Sequence, residues 1–453
     1  MFVRDVVPLQ TVAEAGVRPH VFLDISRLVS GAGSGAPSGI DRVEIAYARH
    51  WLASPEGECS FIGQVFGSPY AVLPRHAVTR FVAALTEAWE TGRAGAALQR
   101  ARRIARGLTL RSASGLGQLA LAKRMRAVHG PKVFLLVSHR ALDRAGPIHA
   151  MRRAGCAFVP LIHDLIPVEH PEFARPGHAN RHLRRIANTA ALADAIIVNS
   201  RHTARALAPH VATRAVPPRV VVAPLGIDAP SAPPPALPLE PYFVVLGTIE
   251  PRKNHLLLLH LWRDLSTRMG AAAPRLVVIG KRGWENENVL DMLERCGTTQ
   301  GTVTELGQVP DREAWSVLRG ARALLFPSFA EGYGLPLGEA LKLGVPAICS
   351  DLPALREVGG DVPDYLDPLD GAAWRRAVLD YAGPTSEARS AQVERLSRWR
   401  SPDWEGHFAA VERTLRGLMP GEVPAAVTGS WGLSPGLAGA AGVFGSSRHP
   451  SRG

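Results

Sequence analysis

Short apolar runs alternate with helix-patterned stretches along almost the whole chain, and they do so twice, on either side of one proline-rich break. A chain with that rhythm buries its apolar faces by laying the runs side by side as parallel sheets with helices packed against them. In the first half the runs fall at residues 21–26, 61–66, 133–138, 157–165, 195–200 and 219–226, with helical patterns at 41–52, 179–193 and 201–210. The break at 227–240 carries five prolines in fourteen residues, too many for a helix or central strand to run through. Runs then resume at 242–248, 275–281, 303–309, 323–328 and 345–350, separated by helical patterns at 255–269, 288–296 and 312–320.

The fold class expected is therefore α/β: two doubly wound, Rossmann-like domains of similar size, residues 1–226 and 241–395, hinged at 227–240 and facing each other across a cleft. A helical stretch within 396–419 is expected to return to the first domain. Residues 420–453, dominated by Gly, Ala, Ser and Pro, read as a disordered tail. In sheets wound this way ligands sit at the carboxyl ends of the strands, and a site between two such domains can close on its substrate.

Composition agrees with a large globular chain. At 453 residues, with 46% hydrophobic and 20% charged residues, it exceeds one ordinary core and is not disordered. No apolar run approaches the roughly 18–20 residues needed to span a bilayer, and the amino terminus lacks a signal-peptide core. The expected location is cytoplasmic. Cys59, Cys156, Cys296 and Cys349 are far apart, which argues against a disulfide framework or zinc site. The net charge of +12 calls for an anionic partner. Its densest source is eight basic residues between Arg100 and Arg126, which read either as a solvated helix face or as attachment to an anionic membrane surface. No aromatic-interleaved basic motif accompanies the charge, so no nucleic-acid partner is expected.

Chemistry concentrates in the second half. Glu331-Gly-Tyr-Gly-Leu-Pro-Leu-Gly-Glu339 follows the apolar run at 323–328 and opens a helix. A strand, a glycine turn and a helix N-terminus make a place for a phosphate-bearing ligand, and the flanking carboxylates suit sugar hydroxyls. Earlier, Arg252 and Lys253 follow the strand ending at Gly247. A forked guanidinium beside a mobile ammonium suits a diphosphate. The chain contains no Asp-x-Asp pair of the kind that would hold a divalent ion on that diphosphate, so no metal and no further cofactor is expected.

These motifs, taken in order with Gly280-Lys-Arg-Gly-Trp-Glu, Leu306-Gly-Gln-Val-Pro-Asp311 and Ser350-Asp-Leu-Pro-Ala-Leu-Arg-Glu-Val-Gly-Gly360, resemble the donor-binding domain of retaining glycosyltransferases of family 4, which have the GT-B fold. The resemblance is dense over residues 240–385. It implies that Glu331 lies against the donor sugar and Glu339 holds the ribose hydroxyls. It further implies that Arg252 and Lys253 hold the diphosphate, that backbone N–H groups at Gly334 and Leu335 hold sugar and phosphate oxygens, and that Val309 edges the base. In the looser first half it places Gly39 against the donor diphosphate, although the family often has two glycines where this chain has Ser38-Gly39. His163, in His163-Asp-Leu-Ile-Pro167, resembles the His-Asp site of mannosyl- and glucosyltransferases, and Arg201 is a further candidate contact.

The activity implied is metal-independent, retaining transfer of a hexose from a nucleoside-diphosphate sugar, with GDP-mannose favoured. The acceptor implied is a saccharide or a polyprenyl-diphosphate-linked oligosaccharide at the inner face of the plasma membrane, in O-antigen, capsule or exopolysaccharide synthesis. Alternatives with the same nucleotide site are an epimerase or hydrolase of this fold, or a non-catalytic sugar-nucleotide-binding protein.

Overall fold

The computed structural model describes residues 18–33, 36–65, 67–91, 95–228 and 241–418. The expectations for the amino terminus, for residues 34–35 and Phe66, for 229–240 of the hinge and for the tail from 420 onward lie outside these residues.

The first half builds a seven-stranded sheet from β1 (His20–Asp24), β2 (Cys59–Gly63), β3 (Ala71–Val72), β4 (Lys132–Leu136), β5 (Cys156–Ile162), β6 (Ala195–Val198) and β7 (Arg219–Val222). Their order is β3-β2-β1-β4-β5-β6-β7. The second half builds a six-stranded sheet from β8 (Tyr242–Leu246), β9 (Arg275–Ile279), β10 (Val303–Gly307), β11 (Ala323–Phe326), β12 (Ala347–Ser350) and β13 (Asp364–Leu366), in the order β10-β9-β8-β11-β12-β13. Every named pairing is parallel except β2 with β3 at one edge, a departure from the all-parallel expectation. A two-residue strand carries too little sequence to signal its direction.

Each central strand points alternate residues into opposite layers. Val21 and Leu23 of β1 pack under one layer of helices, while Phe22 joins Phe134 and Phe158 in the other. In the second sheet Phe243 and Val245 face one layer, Tyr242 and Val244 the other. Burial on both faces explains why the runs read as continuous apolar stretches. It also explains why several expected runs overshoot. β5 ends at Ile162, β6 at Val198, β7 at Val222 and β8 at Leu246, two to four residues early. The chain beyond each strand stays apolar, with Leu165 and Leu225 buried, but has left the hydrogen-bond ladder to form the loops at the sheet's crest.

After the second sheet the chain crosses back. The helix Trp404–Arg416 sends Phe408, Val411 and Leu415 into the first domain's core. His407 bonds the Ala223 and Pro224 carbonyls through Nδ1 and the Tyr47 hydroxyl, at 2.9 Å, through Nε2. At the crossing, Gly226 lies against the Trp404 ring so closely that a Cβ would collide with it.

Strand order reverses between β1 and β4 in one sheet and between β8 and β11 in the other. Both reversals open a crevice at the carboxyl ends of the strands, where ligands bind in folds of this kind. Loops from those ends line one common cleft.

Candidate active site

Gly334 (φ +103°) turns the chain from the crest of β11 into the helix Leu335–Lys342. A side chain there would be strained by the left-handed backbone, and its Cβ would sit 2.5 Å from Leu355 Cδ2. The turn places Glu331 deep in the cleft wall, only 7% exposed. Its Oε1 accepts from Lys253 Nζ at 2.5 Å, and its Oε2 lies 2.9 Å from an Arg252 nitrogen. Arg252 also grips Glu250 through Nε (2.9 Å) and a terminal nitrogen (2.6 Å), and bonds the Ala330 carbonyl at 2.8 Å. The Lys253 ammonium rests 4.7 Å above the Phe326 ring. Burial opposes ionisation of Glu331, but Arg252 and Lys253 outweigh it and bring its carboxyl down to about 2. Burial lowers the Lys253 pKa despite the neighbouring Glu331.

Glu339, one helical turn further on, is the electrostatic opposite. Burial, partly offset by Arg42 and reinforced by Asp311 and Asp228, lifts it to about 7. Arg42 reaches it from the first domain with Nε at 3.9 Å. The same guanidinium bonds both oxygens of Asp311, at 2.6 and 3.0 Å, across the cleft.

The first domain faces this wall with the N-terminus of the helix Gly39–Ala53. Ser38 caps it reciprocally with Asp41, and Arg27 braces both. The N–H groups of Gly39 and Ile40 have no intrahelical acceptor and favour an anion. His163, at the crest of β5, bonds the Val137 carbonyl through Nε2 at 2.7 Å. That bond makes Nε2 the protonated nitrogen and Nδ1 an acceptor. Burial pushes the His163 pKa down to about 4, so the ring is neutral near pH 7. It is therefore a hydrogen-bonding group and not a cationic phosphate ligand.

A cavity of about 570 Å³ lies between these walls. Of the residues singled out from sequence, it brings together Gly39 and His163 from the first domain with Arg252, Lys253, Glu331, Gly334, Leu335 and Glu339 from the second. Val309 is not among its lining residues; its side chain packs, partly buried, against the second domain's core. Arg201 does not line it either. Its backbone N–H and that of His202 donate to Glu357 of the second domain, at 2.7 Å each. Arg252 and Lys253 are not an open phosphate grip; both are already paired with Glu331. Sequence reasoning missed Arg42, Asp311, Glu250 and Glu357. Asp311 and Glu357 stand inside quoted motifs, but the Arg42–Asp311 pairing joins positions 269 residues apart. Among the described residues no cluster of three or more His, Cys, Asp or Glu side chains is placed to hold a metal.

The comparisons with known proteins fall on the same stretch. Residues 234–362 match the family described as Glycosyl transferases group 1. The O-antigen chain mannosyltransferase B of Escherichia coli is 37% identical over 164 residues, 36% of this chain and 42% of that protein. The serotype-specific mannosyltransferase WbdA of Escherichia coli is 28% identical over 285 residues, 56% of this chain and 34% of its own length. The matched region thus spans about a third to two fifths of these relatives. Among solved structures, Anabaena HepE in complex with UDP and glucose superposes with a TM-score of 0.56 at 17% identity, covering 88% of this chain and 99% of that one. The N-terminal domain of trehalose-6-phosphate phosphatase from Candida albicans gives a TM-score of 0.56 at 14% identity, covering 89% and 98%. At such identities the likeness is one of fold. The chain accordingly has the GT-B architecture of two facing Rossmann-like domains, and residues 234–362 in its second half are similar to the glycosyl transferases group 1 family.

Proposed function

We propose that this protein transfers mannose from a nucleoside-diphosphate mannose, GDP-mannose in the first instance, to a saccharide or lipid-linked oligosaccharide acceptor, with retention at the anomeric carbon and without a metal ion. The observation that carries this reading is the buried Arg252–Lys253–Glu331 cluster, set in the cleft opposite the N-terminus of the helix Gly39–Ala53. Two cations and a set of free N–H dipoles suit a leaving diphosphate, and such preorganised charge is usually the largest contribution to catalysis. Glu339, when ionised, offers two acceptor oxygens to a ribose diol. The mannosyltransferase names of the sequence relatives support the choice of sugar and the setting in cell-surface polysaccharide synthesis.

In the proposed step the bond between the anomeric carbon and the β-phosphate oxygen breaks as the acceptor oxygen bonds the same carbon from the same face. The acceptor proton passes to the departing phosphate oxygen, whose charge Arg252 and Lys253 neutralise. Sugar, diphosphate and acceptor are held in line by the two cleft walls. Glu331 is a poor nucleophile in this setting, since both its oxygens are engaged by cations and its pKa is held at about 2. Neutral His163 is positioned to orient a sugar hydroxyl.

The test is to incubate the protein with GDP-mannose and a panel of other nucleotide sugars, with and without saccharide acceptors and with EDTA throughout. Acceptor-dependent GDP release with an α-linked mannosyl product supports the reading. Turnover without acceptor would favour the epimerase or hydrolase alternative. Inhibition by EDTA reversed by Mg²⁺, or a mannosyl adduct on Glu331, would refute the mechanism.

A further inference from the structure

Residues 91–142 contain eleven lysines and arginines and no aspartate or glutamate, so nearly all of the chain's net charge of +12 resides in one stretch. The structure folds most of that stretch into two helices, Ala96–Ala113 and Gly115–Ala127, joined through a single residue, Ser114, which caps both. Three leucines gather at this corner and point to solvent: Leu110 is 71% exposed, Leu116 73% and Leu119 67%. They continue into basic residues along each arm. On the second helix Leu116, Leu119, Lys123 and Arg126 follow at steps of three or four, which is one face of a helix. On the first, Arg103, Arg106 and Leu110 do the same. The surface is thus an apolar apex with two basic arms.

A solvated helix face accounts for the arginines but not for three exposed leucines placed together. The arginines at these stripe positions are exposed; of their neighbours, Arg102, exposed as well, bonds the Gly33 carbonyl, and half-buried Arg124 bonds the Ser60 hydroxyl. Glu87 of the preceding helix pairs with Arg100 at the far end of the arm. Behind the corner the second helix buries only Gly117, Leu121 and Met125, the last two against an apolar cavity of about 660 Å³. The corner therefore carries apolar surface that neither water nor a filled core satisfies.

We infer that this corner docks on an anionic lipid bilayer, the three leucines entering the boundary between headgroups and acyl chains while Arg103, Arg106, Lys123 and Arg126 bind the phosphates behind them. Apolar insertion combined with basic flanks is the physical requirement for peripheral attachment, and no helix among the described residues is long and apolar enough to cross a membrane. The inference stands apart from the reaction proposed above, since attachment requires no turnover.

The experiment is co-sedimentation of the full chain with phosphatidylglycerol-containing vesicles and with pure phosphatidylcholine vesicles, at low and high salt. The native protein is expected to pellet with the anionic vesicles only. Leu110→Ser, Leu116→Ser and Leu119→Ser together should weaken partitioning about tenfold or more, because the apolar share is lost with the charge intact. Arg103→Gln, Arg106→Gln, Lys123→Gln and Arg126→Gln together should abolish it at low salt. Thermal unfolding and the shift on adding GDP serve as controls and should not change in either variant. The inference is overturned if the leucine variant pellets like the native chain, if neutral vesicles bind equally well, or if a DNA duplex displaces the protein from the vesicles and binds the leucine variant undiminished.

Discussion

Replacing Glu331 by Gln keeps the shape of the side chain and removes its charge, which isolates the electrostatic role of the buried cluster. Arg252 retains Glu250, but Lys253, 8% exposed, loses its only close carboxylate in the cluster. Breaking a buried ion pair from one side costs about 3–5 kcal/mol, and with one of the two cations still paired the lower figure applies. The depression of the Glu331 carboxyl to about 2 by Arg252 and Lys253 points the same way, while burial of Lys253, which lowers its own pKa, works against the pair. For a domain of this size the lower figure is a fall in melting temperature of roughly 6–12 °C. A nucleoside diphosphate should reverse much of it, because its phosphates supply the anion that the stranded Lys253 lacks. The assay is thermal unfolding of native and Glu331→Gln protein with and without saturating GDP. The variant should start lower and gain more from the nucleotide. Since the depressed carboxyl stabilises the native protein above pH 4.5 and ceases to as pH falls through about 2, the gap between the two should narrow in acid. A melting-temperature change under about 2 °C, or a GDP-induced gain no larger than the native one, would refute the account.

Two further outcomes follow from the geometry. Glu339, raised to about 7, favours the folded nucleotide-free protein below its unfolded pKa and loses that contribution as pH rises through about 7, whereas a ribose diol is best accepted by the ionised carboxylate; GDP affinity measured by calorimetry should therefore rise from pH 6 to pH 8 in the native protein and stay flat in Glu339→Gln. At Gly332 an added Cβ would lie 2.6 Å from the His163 carbonyl oxygen and 2.8 Å from Asp164 Cβ, so Gly332→Ala should wedge the domains apart, reducing turnover about 100-fold with melting temperature near native; near-native turnover would contradict the fitted closure.

The second-domain wall of the cleft was legible because its chemistry is local in sequence. Glu331, Gly334 and Glu339 share nine residues, Arg252 and Lys253 are adjacent, and a strand followed by a glycine turn is a pattern a reader can test. What escaped was pairing over distance. Nothing in the spacing of Arg42 and Asp311 announces that one guanidinium will span the cleft. Nor does the order of Arg252, Lys253 and Glu331 show that both cations pair with the one carboxylate. Val309 shows a different ambiguity: an apolar residue at the end of a strand pattern can face the cleft or the core, and its side chain packs against the core. The corner at Ser114 was half legible, its charge plain in the composition and its leucines meaningful only once their exposure was known.

The returning helix makes the first domain discontinuous in sequence. Severing the chain near 228 would leave the first sheet without Phe408, Val411 and Leu415, and with an uncovered apolar flank. Any exchange of second domains between related chains is therefore an insertion with two junctions, one near 228 and one near 402, and a single-crossover chimera would lack part of its own interior. Gly226, pressed against the Trp404 ring, marks where the returning segment meets the first domain: a larger residue there would push the returning helix off the core it completes.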